Sequence, residues 1–388
     1  MAADRAYLLG GRVGPARARL AALTARIMAR FEGAGCARVD VAALHPADAL
    51  LDVYGEDLRG RAFVVEQHGG PELFLRPDFT VPVLQLHRAA QAEPARYAYL
   101  GPVWRRQAPG SSRPTEFLQA GLEIYGEDAA GADAEIFALL AAALADGGVT
   151  APQVVTGDLG VIIAILDATP MPPARRAALK RHFWRPARFQ ALLHRYAAPA
   201  PAPSAARAAL LAAADDAEAV AALALSAGAF VGARSLDEVA ARAAALAGDA
   251  RAAPIPADCA RLLDAALAVD APAAEAHARL GDLCAAAGVD IRPALDRFAR
   301  RLDALARRGV EAGALRFCAA TARTLEYYDG FVFEMAAPGR PDLPPLAGGG
   351  RYDGIARALG AAGGAAGGAA GGVVRPEALL AAAGEPPC

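Results

Sequence analysis

The sequence predicts an α+β fold, an antiparallel sheet flanked by helices, with a mainly helical insertion. Three observations carry this expectation. Alternating runs rich in β-branched and aromatic residues fill the front of the chain, successive helical runs fill the middle from about Pro172 to Gly309, and strand character returns after that. One sheet domain interrupted by helices accounts for that order. The expected boundaries are 1–170 for the first part of the sheet domain, 171–310 for the helical region and 311–388 for the second part.

The elements follow in chain order. In "PARARLAALTARIMARF" (Pro15 to Phe31) apolar residues recur at helical spacing, proline sits in the first turn, and Gly33 and Gly35 close the segment, which is therefore a helix. "CARVDVAAL" is extended, and "RAFVVEQHGGPELFLRP" is a hairpin turning at Gly69, Gly70 and Pro71. "TVPVLQLHRAAQ" returns to helical spacing. Two β-type runs, Tyr97 to Trp104 and Thr115 to Tyr125, flank a loop of Pro, Gly and Ser, and make a second hairpin with a long tip. Ala132 to Ala145 is a helix, "PQVVTG" a strand and Leu159 to Asp167 a helix. In the middle region "AAPAPAPSAA" breaks the helical runs, because alternating prolines favour an extended linker. "ALRFCAA", "FVFEM" and "LAGGGRYDG" supply the returning strands.

The chain has 388 residues, 55% of them hydrophobic, enough for one large core or two to three domains. Lys and Arg number 40 against 42 Asp and Glu, so the basic surplus of a general nucleic-acid binder is missing. Cys36, Cys259, Cys284, Cys318 and Cys388 are scattered, with no C-x-x-C pair or short Cys/His cluster, which argues against a zinc site or a disulfide framework. No apolar run reaches the length of a signal sequence or of a spanning helix, so a cytoplasmic protein is expected. The glycine pairs of "AAGGAAGGAAGG" fit neither G-x-G-x-x-G nor G-x-x-x-x-G-K-[ST], so they are no phosphate cradle of either kind. Ala361 to Ala370 is expected to be a flexible loop.

In a background biased to Ala, Arg, Gly and Pro, the places where other polar residues persist are informative. They concentrate in "LRPDFT" (Leu75 to Thr80), "VWRRQAPGSSRPTEFLQAGLE" (Val103 to Glu123), "RTLEYYDGFVFE" (Arg323 to Glu334) and "AGGGRYDG" (Ala347 to Gly354). Singly, each has a bland explanation as a turn, a solvated hairpin tip or core aromatics. In order and together they resemble histidyl-tRNA synthetase and its paralogues of the class II synthetase fold. "LRPDFT" is similar to that family's Arg-Pro-Glu-Gly-Thr. The Val103 to Glu123 segment is similar to motif 2, with arginines at Arg105 and Arg113 and with Gln119 and Glu123, and "RTLEYYDGFVFE" is similar to the histidine-specific Arg-Gly-Leu-Asp-Tyr-Tyr signature.

The resemblance implies a histidine pocket. Free histidine presents an ammonium, a carboxylate and an imidazole, and a closed site must pair each of them. By the resemblance Asp78, Thr80 and Gln119 face the ammonium, Arg323 faces the carboxylate, and Glu123 and Tyr328 bond the imidazole nitrogens, with Arg105 and Tyr327 completing the site. Asp78 is one methylene shorter than the family's Glu.

Two departures point away from aminoacylation. Adenylation needs the charge of a bent ATP neutralised, yet the acid that recognises adenine in motif 2 is replaced by Gln107, and in "GGVVRPEAL" the motif 3 arginine is replaced by Ala378. Losing one charge-assisted phosphate contact costs about 1.5–3 kcal/mol. Gly371 to Leu380 is expected to be the motif 3 helix kept for packing, in which Arg375, three residues upstream of Ala378, points elsewhere. A synthetase of this kind also continues into an anticodon-binding domain beyond motif 3, and none is expected here.

This combination is similar to the regulatory subunits of short-form ATP phosphoribosyltransferase, the first enzyme of histidine biosynthesis. The resemblance implies a non-catalytic chain that supports a separate catalytic subunit and lets histidine inhibit it. It further implies a homodimer within a hetero-oligomer, with L-histidine as effector, no cofactor, no metal and no tRNA. Two other readings remain: an enzyme that activates histidine as the adenylate for an acceptor other than tRNA, and a stand-alone histidine sensor.

Overall fold

The computed structural model describes residues 12–48, 51, 59–90, 94–108, 110–111, 113–200, 202–227, 235–321, 327–359 and 368–384. The chain divides into two compact units. One comprises Met1–Val161, Ala268–Gly281 and Arg292–Cys388, and the other Ile162–Leu267 and Asp282–Ile291.

The first unit is organised by twelve described strands: β1 (Ala37–Arg38), β2 (Leu44–Pro46), β3 (Val64–Val65), β4 (Leu73–Leu75), β5 (Ala95–Trp104), β6 (Glu116–Tyr125), β7 (Gln153–Asp158), β8 (Asp270–Pro272), β9 (Arg316–Cys318), β10 (Phe331–Ala336), β11 (Ala347–Arg351) and β12 (Ala369–Val374). Nine of them form one sheet in the order β1-β5-β6-β12-β11-β10-β7-β9-β8, and β2-β4-β3 form a small second sheet. The centre of the large sheet is antiparallel. Its outer pairings β1 with β5 and β7 with β9 are parallel, a feature absent from the expected all-antiparallel sheet. Strand β8 and the Arg292–Ala306 helix come from the stretch read as the helical middle, yet belong to this first unit.

Both expected hairpins are present. β3 and β4 pair antiparallel around Gly69, whose φ of +71° is one that an L side chain rarely adopts. β5 and β6 pair antiparallel along their full length, from Ala95 opposite Tyr125 to Trp104 opposite Glu116.

The period of two along the strands separates the sheet into two chemically different faces. Ala120, Leu122, Ile124, Phe331, Phe333, Met335, Ala370 and Val374 fall on one face and join a buried core with the Gly14–Gly33 and Ala129–Asp146 helices. The first of these helices packs Leu20, Leu23, Ile27, Met28 and Phe31 inward, as its spacing requires. In the second, the Asp128 carboxylate accepts a bond from the Gly131 N–H at 2.7 Å and so caps the first turn.

An ionic cluster sits on the same face. Asp133, on the Ala129–Asp146 helix, accepts from Arg301 Nε at 3.0 Å and from Arg351 Nη2 at 2.8 Å, and Arg301 Nη1 also donates to Asp158 at 2.6 Å. All four side chains are buried. Each charge has at least one opposite partner, which is the condition for holding ions away from water.

The second unit is helical, with helices at Pro173–Arg181, Pro186–Ala197, Ala205–Ala213, Ala217–Ser226, Leu236–Arg251 and Ala257–Leu267. The proline-rich linker lies between the second and third of these, and Ser204 caps the helix that follows it. Ser235 and Glu238 form a reciprocal capping box at Leu236–Arg251. Buried Arg175 donates to the Asp249 carboxylate and to the backbone carbonyls of Asp249 and Ala253.

Among the described residues no helix is long and apolar enough to cross a membrane, and no group of three or more His, Cys, Asp or Glu side chains is placed to hold a metal ion.

Candidate functional site

The second face of the large sheet is polar because of strand parity. Opposite residues of an antiparallel pair point the same way, so Tyr97 goes with Glu123, Tyr99 with Gly121 and Gly101 with Gln119 across β5 and β6. Gly371 lies opposite Glu123 across β6 and β12, Gly350 opposite Gly371 across β11, and Val332 and Glu334 opposite Gly350 and Gly348 across β10. These strands floor a cavity of about 660 Å3, measured to include its mouth toward solvent.

Of the eight residues expected to bind histidine, seven line this one cavity: Asp78, Thr80, Arg105, Gln119, Glu123, Tyr327 and Tyr328. The eighth, Arg323, lies outside the described residues. The seven come from three of the four stretches singled out in the sequence, and the sheet is what brings them together.

Glu123 is the most constrained of them. It is 0% exposed and accepts hydrogen bonds from Tyr352 Oη at 2.6 Å, Tyr99 Oη at 3.0 Å and Thr80 Oγ1 at 3.1 Å. Burial pushes its carboxyl up to about 7, against the pull of the three hydroxyl donors. A carboxylate offers about four acceptor positions, so roughly one remains for a ligand donor. Gly371 makes room for this group, since a Cβ there would fall on Glu123 Oε2. The glycine-rich run thus contributes to the site by lacking a side chain where the carboxylate packs on the backbone of β12.

Gln119 is 1% exposed, and its Oε1 has no hydrogen-bond partner among the described residues. A buried amide oxygen in that state costs free energy until a donor reaches it. Asp78 accepts from the Thr80 N–H at 3.2 Å and stands 4.0 Å from Arg105 Nη2, while Arg105 Nε donates to the Pro77 carbonyl at 2.7 Å. An acceptor group for a cation therefore adjoins a guanidinium. Tyr327 is buried in the core and tilts against Tyr328 with ring centroids 4.6 Å apart. Burial raises the Tyr328 hydroxyl well above its usual pKa, so it stays protonated and able to donate.

Gln107 and Ala378, taken as worn parts of a nucleotide site, and the motif 2 arginine Arg113, expected to belong to the same site, are dispersed. Gln107 Nε2 donates to the Pro114 carbonyl at 3.1 Å, and Arg113 is exposed on the hairpin tip. Ala378 is 9% exposed and packs into the core on the helical side of the sheet. None of them lines the cavity.

Motif 3 differs from expectation. Gly371 to Val374 is strand, the helix starts only at Pro376, and Arg375 at the junction is extended, with φ −103° and ψ 94°. The expectation that Arg375 points away assumed a helix through Gly371 to Leu380. In strand phase, Gly371, Val373 and Arg375 share the cavity face, and Arg375 does line the cavity. Sequence reasoning also missed Tyr99 and Tyr352 as anchors of Glu123. Alternation along "RYAYLG" could have flagged Tyr99, but Tyr352 reaches Glu123 only through the fold. In "LRPDFT", Arg76 serves structure: it donates to the carbonyls of Pro102 at 3.0 Å and Val41 at 2.6 Å, and lies over the Phe79 ring.

Comparison with known proteins bears on the family and the fold. The histidyl-tRNA synthetase family model matches residues 12–262 and 233–372. An ATP phosphoribosyltransferase regulatory subunit of Mesorhizobium japonicum is 36% identical over 363 residues, covering 88% of this chain and 93% of that protein. The subunit of the same name from Rhizobium meliloti is 36% identical over 367 residues, covering 88% and 92%. Among solved structures, an ATP phosphoribosyltransferase regulatory subunit/histidyl-tRNA synthetase from Bacillus halodurans superposes with a TM-score of 0.66 at 20% identity, over 97% of this chain and 81% of that one. A histidine–tRNA ligase subunit from Alicyclobacillus acidocaldarius gives 0.59 at 25% identity, over 96% of both chains. The class II synthetase-like sheet, the family-model match and the full-length relatives converge: this chain belongs to the family of ATP phosphoribosyltransferase regulatory subunits, within the wider histidyl-tRNA synthetase family.

Proposed function

We propose that this chain is the non-catalytic regulatory subunit of a short-form ATP phosphoribosyltransferase, required for the activity of the catalytic subunit and for its inhibition by histidine. The observation that carries the proposal is the convergence of Asp78, Thr80, Arg105, Gln119, Glu123, Tyr327 and Tyr328 on one cavity while Ala378 packs into the core. The cavity offers an unpartnered amide oxygen and a carboxylate for an ammonium, guanidinium for a carboxylate, and Glu123 with Tyr328 for the two imidazole nitrogens. Such a set suits free histidine.

Histidine shifts the partner's activity only if it binds two states of the assembly unequally, since equal affinity shifts nothing. ATP and phosphoribosyl pyrophosphate bind the catalytic subunit in this reading. The assembly is a cytoplasmic hetero-oligomer built on a homodimer of this chain, without tRNA, and the helical second unit is an insertion in the synthetase-like body.

The test is reconstitution. Added to a short-form phosphoribosyltransferase, the purified chain should raise its activity, and histidine should lower it again. No activation, or histidine-dependent ATP–pyrophosphate exchange by this chain alone, would overturn the reading, the second result in favour of a histidine-activating enzyme.

A further inference from the structure

Arg375 stands where the cavity has no assigned cation. It follows Val374, which is fully buried on the helical side of the sheet, and precedes the helix that begins at Pro376, so strand alternation turns its side chain to the cavity. Its Nη1 donates to the Pro345 carbonyl. The guanidinium carries five N–H donors, and no other partner for them occurs among the described residues. The cavity wall thus holds two guanidinium groups, Arg105 and Arg375, with the Glu334 carboxylate as the nearby counter-charge of Arg375. Burial, and then the proximity of Arg105, lower the Arg375 pKa to about 10, so Arg375 remains charged near neutral pH. Two like charges on one wall favour an anion between them.

The position of the wall selects the kind of anion. Arg105 lies 4.0 Å from Asp78, which with Thr80 and the unpartnered Oε1 of Gln119 forms the acceptor end of the cavity. In an α-amino acid the ammonium and carboxylate share one carbon, so a carboxylate must sit beside whatever holds the ammonium. The cation beside Asp78 is Arg105, and Arg375 lines the same cavity near enough to Arg105 for their charges to interact.

We propose that Arg375 is a ligand-binding residue of the cavity, forming with Arg105 a two-guanidinium subsite for the α-carboxylate of a bound amino acid. This rests on the histidine-sensing reading above and adds Arg375 to Arg323, the carboxylate partner expected from the sequence. It gives a chain with Ala378 at the expected position of the motif 3 arginine another arginine, three residues earlier, on the cavity side of the strand-to-helix junction.

The test compares ligands with and without the carboxylate. Calorimetric titration of the full chain with histidine and with histidinol, in which a hydroxymethyl group replaces the carboxylate, reads the subsite directly. Arg375→Gln keeps an N–H donor for Pro345 but removes the charge. It should weaken histidine binding roughly ten- to hundredfold, the worth of a hydrogen bond to a charged group, and leave histidinol binding within about twofold. Equal weakening of both ligands would assign Arg375 to packing and overturn the proposal, as would unchanged histidine binding. Loss of AMP or ATP binding with unchanged histidine binding would also overturn it, assigning the arginine to phosphate. Should the Gln variant not fold, Arg375→Lys is read by the ratio of histidine to histidinol affinity, which should fall, and an unchanged ratio refutes the subsite. If the unaltered chain fails to bind histidine, the functional reading itself falls and the inference with it, an outcome distinct from all the others.

Discussion

Replacing Gly371 with Ala probes the most tightly packed point of the site with a single methyl group. The new Cβ would clash severely with Glu123 Oε2, and Gly371 is held opposite Glu123 by the β6–β12 register. Either Glu123 swings out of its place or the two strands separate locally. Swinging out forfeits the bonds from Tyr352, Tyr99 and Thr80. Hydrogen bonds to a charged group are worth about 1.5–3 kcal/mol each, so three give a ceiling of roughly 4.5–9 kcal/mol. A carboxylate displaced into the adjoining cavity regains water, so we expect a net loss of about 3–5 kcal/mol, comparable to breaking a buried ionic contact. Calorimetry should show a fall in Tm on the order of 5–10 °C, and titration should show loss of histidine binding, because Glu123 no longer faces the imidazole. A Gly371→Ala variant with unchanged Tm and unchanged histidine affinity would refute both the packing of Glu123 against the strand and its role in the pocket.

Other expectations follow from the same geometry. Glu123 and Asp329 are both held above their ordinary carboxyl range by burial, at about 7 and about 6. The folded chain therefore keeps their protons longer than the unfolded chain, and the stability this contributes is present below about pH 4 and lost as pH rises through 6 to 7. For Glu123 the loss is on the order of 3 kcal/mol, so denaturation of the unaltered chain should fall off more steeply between pH 4.5 and 7.5 than that of Glu123→Gln, and parallel profiles would contradict it. Asp133→Ala leaves Arg301 and Arg351 buried without their shared carboxylate, and should cost about 3–5 kcal/mol in urea denaturation; a loss under about 1 kcal/mol would contradict the cluster's role. Gly248, inside the Leu236–Arg251 helix, has open space where a Cβ would go, so Gly248→Ala should raise stability by about 0.5–1 kcal/mol, measurable as a higher denaturation midpoint.

Much of the sheet unit was legible because strand and helix periods are written in the order of residue types. The β5 and β6 runs, the Gly14–Gly33 helix and the Ala129–Asp146 helix all appear within a few residues of where hydrophobic spacing places them. The short edge strand β8 was less legible, since three residues are too few to show a period and its pairing comes from a distant partner. The parallel pairings at β1 and β9 are tertiary outcomes of this kind. Within the site, residues carried in recognisable order, such as Gln119 and Glu123, could be picked out before any coordinates. The hydroxyls that hold Glu123 could not, because Tyr352 lies 229 residues away in sequence.

The final stretch of the chain separates the two sources of information. From the sequence by itself came the resemblance of this segment to motif 3, with Ala378 standing where that motif's arginine is expected, because a resemblance of this kind rests on residue identity and spacing. Only the tertiary structure decided which way Arg375 points. A switch from strand to helix at Pro376 sets the phase of every side chain around it: the strand turns Arg375 to the cavity, and the helix turns Ala378 into the core. That switch is fixed by the pairing of β12 between β6 and β11, contacts with residues far away along the chain that no local spacing reveals.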